Sequence, residues 1–133
     1  MTDIFNEMFT GIANPVRAAF PGAFVTGERI PAPAKFPCVT VIEADNYEDA
    51  NSIDNSSTEN LTSLMYEITV YSNKTSGKRS QCIEILNLID GLMKSKNASR
   101  IARVEGYFDR ESTIYTIRAR YRLKTDGVNL YTF

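Results

Sequence analysis

A two-residue alternation runs through Thr113–Lys124, and it constrains the fold more than any other segment of the 133-residue chain. Aromatic, aliphatic and small side chains occupy every second position, namely Tyr115, Ile117, Ala119, Tyr121 and Leu123. The positions between them hold Thr116, Arg118, Arg120 and Arg122. Because successive side chains of a strand point to opposite faces of a sheet, this pattern predicts a strand with one buried face and one cationic face.

Other segments also have the character of strands. Leu61–Ser72 alternates as well, and places Leu64, Tyr66, Ile68 and Val70 on one face. Cys38–Glu43 is rich in β-branched residues, and shorter candidate strands lie at Ala23–Glu28 and Arg100–Phe108.

Two segments have helical periodicity. Residues 77–95 carry apolar side chains at the i, i+3, i+4, i+7 spacing of an amphipathic helix, namely Cys82, Ile85, Leu86, Ile89, Leu92 and Met93. Residues 3–13 carry a similar stripe of Ile4, Phe5, Met8 and Ile12. Pro15 is expected to end or kink this first helix, since proline removes a backbone donor, and Asn14-Pro15 could begin a further turn through Phe20.

The order of these elements predicts an α+β fold. We expect an antiparallel sheet of about four to five strands, with the N-terminal helix and the long amphipathic helix packed on one face. Residues 1–133 are then a single domain, with a long polar loop at 44–60 and a C-terminal tail at 125–133. Connections as long as this loop are uncommon unless they are functional or disordered, so we expect it to be an assembly element.

The side chains that most enzymes and zinc sites need are scarce in this chain. There is no histidine, which removes Ser-His-Asp and Cys-His catalysis and the usual zinc ligand sets. Cys38 and Cys82 each sit in an apolar run and are expected to be small buried hydrophobic residues. We therefore expect no enzymatic activity, no cofactor and no metal.

Two loops come close to known ligand-binding motifs, and both fail. Gly77-Lys78 precedes a helix as in a phosphate-binding loop, but Ser72 replaces the first glycine of that motif and Arg79 replaces its Ser/Thr. The acidic stretch after Ala44 lacks the central glycine of a calcium loop, and Tyr47 interrupts its ligand positions. A polar turn and a solvated acidic loop are the better interpretations.

The charges of the chain fall into two blocks of opposite sign. Between Phe36 and Asn73 there are seven acidic residues and no basic one, whereas Lys74–Lys124 holds twelve basic and five acidic residues. Such blocks can meet within one fold or across copies. The candidate interface residues are Arg118, Arg120 and Arg122, together with Glu43, Asp45, Glu48, Asp49 and Asp54.

The arginine-rich strand face has two interpretations. It is either a functional face, which binds a partner protein or a phosphate, or an exposed face paired with acids on a neighbouring strand, such as Glu67 or Glu105. The isoelectric point near 5.5 favours protein contact over nucleic-acid binding.

The C-terminal tail carries the apolar residues Leu130, Tyr131 and Phe133. They pack either on their own domain or on a neighbouring subunit, and they complete the set of candidate interface residues. No apolar stretch approaches the roughly 20 residues that span a bilayer, so no membrane contact is expected.

In size and in the order of its segments, the chain resembles the tail terminator, or tail-completion, proteins of long-tailed bacteriophages. The resemblance lies in IFNEMFTGI, in FPCVTVIEADN, in SLMYEITVYSN followed by GKRSQCIEILNLIDGLM, and in the closing pair RIARVEGYF and TIYTIRARYRL. These segments cover nearly all of residues 1–124.

The resemblance implies a structural virion protein without catalytic residues. It implies a homo-oligomeric, six-membered ring at the neck of the virion, assembled in the host cytoplasm. That ring caps the tail tube protein, ends tube growth and meets a head connector or stopper protein, while DNA only passes through the channel. The alternatives are another head–tail connector or minor tail protein, and a small-molecule-binding module or enzyme on a similar scaffold.

Overall fold

The computed structural model of the chain describes residues 3–31, 33–48, 61–108, 113–127 and 129–132. Two helices are present in this part of the chain, α1 (Phe5–Ala19) and α2 (Lys78–Ser95). The strands are β1 (Phe24–Thr26), β2 (Cys38–Glu48), β3 (Thr62–Ser72), β4 (Ser99–Tyr107), β5 (Tyr115–Thr125) and β6 (Leu130–Thr132).

The strands form one sheet in the order β1-β2-β3-β5-β4, and β6 pairs with β5. The predicted α+β class and N-terminal helix are confirmed, but the wholly antiparallel sheet of four to five strands is wrong. β1 runs parallel to β2, so the described sheet is mixed, and β6 brings it to six strands. Both β1 and β6 are three residues long, too short for an alternation that would predict their pairing.

Both helices pack on the same face of this sheet. Their buried side chains join the predicted inner faces of β3 and β5 in one apolar cluster. The fully buried members of that cluster include Ile12, Val16, Ile68, Ile85, Ile89 and Ile117. The opposite face of the sheet carries no helix within the described residues, and we call it the open face.

α1 continues through Pro15 to Ala19, so the predicted end at residue 13 is wrong, and the further turn towards Phe20 belongs to the same helix. An interior proline costs about 3 kcal/mol because one backbone hydrogen bond is lost and the ring crowds the preceding turn. Ile12, Ala13 and Val16 lie on either side of Pro15 and are all buried. Their packing against the sheet offsets the cost and keeps the last turn helical.

β2 is longer than predicted, because Ala44–Glu48 belong to the strand and not to a loop over 44–60. The pairing of β2 with β3 shifts between Glu43 and Asp45, where Ala44 is the extra residue of a β-bulge. The bulge breaks the side-chain alternation that marks a strand in the sequence. The rest of the predicted loop, residues 49–60, lies outside the described residues.

β3 is buried on both faces, whereas its alternation predicts a half-buried strand. Glu67, Thr69 and Tyr71 lie on the open face, yet none is more than 8% exposed. β3 is central, with β2 on one side and β5 on the other, and the long arginine side chains of β5 lie over this face. Neighbouring strands and these guanidinium groups therefore supply the cover that a helix supplies on the other face.

α2 begins at Lys78, directly after Gly77, whose φ of +79° is a conformation that glycine adopts without steric cost. The polar turn predicted before this helix is confirmed. Within the described residues, no helix is long and apolar enough to cross a membrane.

Candidate subunit interface

The most organised feature of the open face is one carboxylate held between two arginines. The register of β3 and β5 places Glu67 opposite Arg120 and Thr69 opposite Arg118. Glu67 Oε2 lies 3.1 Å from Arg120, and Oε1 lies 3.4 Å from Arg118 Nε. The arginine face therefore pairs with Glu67 on the neighbouring strand, as the second of its two interpretations expects.

The charges in this arrangement are unequal. The Glu67 side chain is 10% exposed, whereas those of Arg118 and Arg120 are 53% and 48% exposed. One negative charge faces two positive charges, so one guanidinium charge remains uncompensated by Glu67. Because both guanidinium groups reach solvent, their outward N–H groups can donate hydrogen bonds to a second acidic partner.

A groove of about 520 Å³ opens on this face beside the two arginines. The small residues Ala102 and Gly106 of β4 line it, together with Arg118 and Arg120 of β5. Tyr71 and Phe108 also line it, and their rings meet edge-to-face with centroids 6.2 Å apart. The groove, which we call the arginine groove, is thus lined by both cationic and aromatic side chains.

Arg122 lies further along β5 and does not share this carboxylate. Its Nη2 donates a hydrogen bond of 3.1 Å to the hydroxyl of Tyr47 on β2. Tyr47 belongs to the stretch that the sequence assigns to a loop, and its place in β2 brings it to the open face. The three arginines of β5 are therefore on one face, as predicted. Arg118 and Arg120 share Glu67, whereas Arg122 binds Tyr47.

The candidate acidic residues are spread over β2 and the chain that follows it. Glu43 accepts a hydrogen bond of 3.2 Å from the hydroxyl of Tyr66, and Asp45 is exposed beside the bulge. Glu48 is the last residue of β2. Asp49 and Asp54 lie outside the described residues. Of the predicted acids, Glu43 and Asp45 have described side chains, and neither pairs with Arg118 or Arg120.

The Tyr66 side chain is fully buried, and its hydroxyl lies beside the Glu43 carboxylate. Burial raises the pKa of the Tyr66 hydroxyl far above its usual value, and the neighbouring Glu43 carboxylate raises it further. The hydroxyl therefore stays protonated and serves as a hydrogen-bond donor.

The described part of the C-terminal tail docks on its own sheet. Leu130 packs against the core, and the hydroxyl of Tyr131 donates a hydrogen bond of 3.2 Å to Asp126. Asn97 Nδ2 donates to the carbonyl of Leu130 at 2.8 Å, which ties β6 to the turn after α2. Phe133 lies outside the described residues. Of the two interpretations of the tail, packing on its own domain holds for Leu130.

Sequence reasoning missed an ion-pair cluster around Glu105. Glu105 Oε1 lies 2.8 Å from Arg79 Nε and accepts a hydrogen bond of 3.1 Å from the Tyr115 hydroxyl, and Oε2 lies 2.7 Å from Arg103. Hydrogen bonds from Arg79 and Arg103 lower the pKa of Glu105 to about 2. The proposed pairing of Glu105 with the arginines of β5 is replaced by this cluster, because Glu105 lies opposite Ile117 on the other face.

The two thiols are poor nucleophiles. Cys38 and Cys82 are both free and fully buried, as the sequence predicts for small hydrophobic residues. Burial raises the pKa of each thiol to about 11. Among the described residues, no group of three or more cysteines and acids is placed to hold a metal ion.

Comparison with protein-family models and with curated protein sequences found no significant match for this chain.

Proposed function

We propose that this protein is a structural subunit of a bacteriophage neck, which forms a ring on the tail tube, ends tube growth and joins the tail to the head connector. The observation that carries the proposal is the shared carboxylate of Glu67. It leaves Arg118 and Arg120 half exposed with an unbalanced positive charge beside the arginine groove. Such a surface suits an acidic protein partner.

The chain itself contains a counterpart for this surface. The segment between Phe36 and Asn73 has seven acidic residues and no basic one, and Asp45 is exposed on β2. A head-to-tail contact in a ring joins two different patches of each subunit, so a basic patch on one copy can meet an acidic patch on the next. This arrangement agrees with the ring that the resemblance to tail terminators implies.

The experiment compares assembly of the wild-type protein with that of an Arg118→Gln/Arg120→Gln variant. Native mass spectrometry should find six-membered rings of the wild-type protein, either free or on added tail tubes of its own phage. We expect the variant to remain folded by circular dichroism but to lose most ring formation. Arg29→Gln/Lys35→Gln removes two exposed charges elsewhere and should assemble normally.

Salt dependence provides an independent check. Exposed charges are screened over about 8–10 Å at ordinary ionic strength, so rings held by the arginine groove should weaken as salt is raised. Absence of rings and of tube capping, or identical assembly of both variants at low and high salt, would contradict the proposal.

A second candidate function rests on the volume of the arginine groove. About 520 Å³ lies within the range of roughly 300–1,000 Å³ typical of small-molecule sites. A small anionic ligand held by Arg118 and Arg120 is the corresponding hypothesis. A thermal-shift screen of carboxylates and phosphates tests it, with stabilisation expected in the wild-type protein and absent in Arg118→Gln/Arg120→Gln.

A further inference from the structure

β4 presents a long exposed edge of the sheet. It is the last strand on its side, and among the described strands it pairs only with β5. Val104 and Tyr107 are 67% and 63% exposed, and Ile101 is 48% exposed. An exposed strand edge with apolar side chains is a template for pairing with another strand.

The backbone groups that face this edge follow from one hydrogen bond. The N–H of Phe108 donates to the carbonyl of Ile114, so Phe108 points its backbone groups towards the β5 side. Backbone groups alternate sides along a strand, and the irregularity in β4 lies before Ala102. The N–H and carbonyl groups of Arg103, Glu105 and Tyr107 therefore point to the open edge.

The side chains on β4 are self-complementary in one antiparallel register. When Val104 lies opposite the partner's Val104, Arg103 lies opposite the partner's Glu105, and its backbone groups face that residue for hydrogen bonding. A shift that centres the pair on Arg103 or on Glu105 places like charges opposite each other, which is unfavourable. Only the register centred on Val104 pairs Arg103 with Glu105.

The charges needed for this register are already held in position. Arg103 lies 2.7 Å from Glu105 within the strand, and Arg79 holds the same carboxylate from α2. In the paired form, each Arg103 would lie between two carboxylates, and each Glu105 would gain a third guanidinium group beside those of Arg79 and Arg103. Edge charges that prevent association do so by repelling a second copy, whereas these charges attract one in register.

We propose that β4 pairs antiparallel with β4 of a second copy of this chain, around a two-fold axis at Val104. The proposal does not depend on the phage-neck function. A two-fold contact closes after two copies and cannot by itself extend into a ring, which needs two different patches. The β4 contact uses the backbone edge of this strand, whereas the ring contact uses Arg118 and Arg120, although Val104, Glu105 and Tyr107 also line the arginine groove.

Cross-linking through engineered cysteines tests the register. Directly opposed residues of a non-hydrogen-bonded antiparallel pair have Cα atoms about 4.5 Å apart, which a disulfide can bridge. Val104→Cys should therefore form covalent dimers nearly completely in a glutathione redox buffer at micromolar protein.

Tyr107→Cys is the matched control, because it is on the same strand and similarly exposed. In the proposed register it lies about 20 Å from the same residue of the partner, since each strand residue advances about 3.3 Å. It should remain largely monomeric on a non-reducing gel. Equal cross-linking of both variants, or cross-linking of neither, overturns the proposal.

Charge reversal tests the pairing of Arg103 with Glu105 across the axis. Arg103→Glu and Glu105→Arg should each raise the dimer Kd about tenfold or more, because like charges then face each other at two places. An equimolar mixture of the two variants should form a mixed dimer with a Kd near that of the wild-type protein. Native mass spectrometry resolves the mixed dimer by mass.

The outcomes separate this proposal from the ring. Loss of rings in Arg118→Gln/Arg120→Gln, with the dimer intact, leaves the β4 contact standing. A wild-type protein that stays monomeric up to millimolar concentration refutes the β4 contact and leaves the ring untouched. A mixture of the charge variants that pairs no better than either variant alone also refutes it.

Discussion

Tyr121 donates a hydrogen bond of 2.8 Å from its hydroxyl to Oδ1 of Asp90, and this bond connects β5 to α2. Asp90 is also 3.0 Å from Lys94 and 3.8 Å from Arg100. Burial tends to raise the pKa of Asp90, but the hydrogen bonds from Lys94 and Tyr121 outweigh it and lower the pKa. A charged carboxylate thus anchors the helix to a fully buried tyrosine of the sheet.

Replacing this tyrosine tests the anchor. Tyr121→Phe keeps the ring in the core and removes only the hydroxyl, so it should lower the free energy of unfolding by about 1.5–3 kcal/mol, the range for hydrogen bonds to charged groups. Urea denaturation measures the change. Tyr131→Phe removes an exposed hydroxyl that bonds Asp126, and it should change stability by less than about 0.5 kcal/mol.

The free energy of unfolding should decrease as the pH is lowered, partly because Glu105 becomes protonated. Its pKa of about 2 is below the ordinary value of 4.5, so the folded state binds the proton less readily than the unfolded state. The stabilisation from Glu105 is complete above pH 4.5 and is lost as the pH falls towards 2. Glu105→Gln should be less stable than the wild-type protein at neutral pH.

The stability difference between wild-type protein and Glu105→Gln should narrow as the pH is lowered from 4.5 to 2, as measured by denaturation in a pH series. Glu28→Gln, at an exposed site away from the cluster, is the matched control. A constant difference between wild-type and Glu105→Gln across this range would contradict the role of Arg79 and Arg103 in lowering the pKa.

The two thiols should be inert in the folded protein. With each pKa near 11, roughly one thiol in a thousand is ionised at pH 8, and both are fully buried. A thiol reagent should label Cys38 and Cys82 slowly in native conditions and within seconds in denaturant. Fast labelling of either cysteine in the native protein would show that its part of the sheet opens readily.

Pro15→Ala should stabilise the protein. The change restores a backbone N–H within α1 and removes the ring from the preceding turn. These two gains outweigh the greater conformational entropy of the unfolded chain, which opposes them. We expect a gain of about 1–3 kcal/mol in the free energy of unfolding. Pro21→Ala, in the turn after the helix, lacks this effect and serves as the control; a loss of stability in Pro15→Ala would mean that the helix bends at proline for packing.

The parts of the fold that the sequence predicted well are those with long, regular periodicity. β3, β5 and α2 each repeat their pattern over many residues, so their inner faces followed from side-chain alternation alone. The extension of β2 was hidden, because the bulge at Ala44 reverses the alternation partway along the strand. Buried residues on both sides of Pro15 keep α1 helical there, although proline usually ends a helix.

The candidate site was predictable only in its arginines. The alternation in β5 placed Arg118 and Arg120 on one face, but their sharing of Glu67 depends on a register between strands 53 residues apart. The Glu105 cluster joins Arg79 at the start of α2 to a strand 26 residues later, and no local pattern announces that contact.

The place of β5 in the sheet also affects the order in which the protein can be completed during synthesis. β5 pairs along its whole length with β3 on one side, and with β4 and then β6 on the other. During synthesis β3 is made before β5, so the edge of β3 that pairs with β5 stays unpaired until β5 has been made. Contacts of such sequence separation fold slowly, and a strand edge that is still unpaired is prone to aggregation.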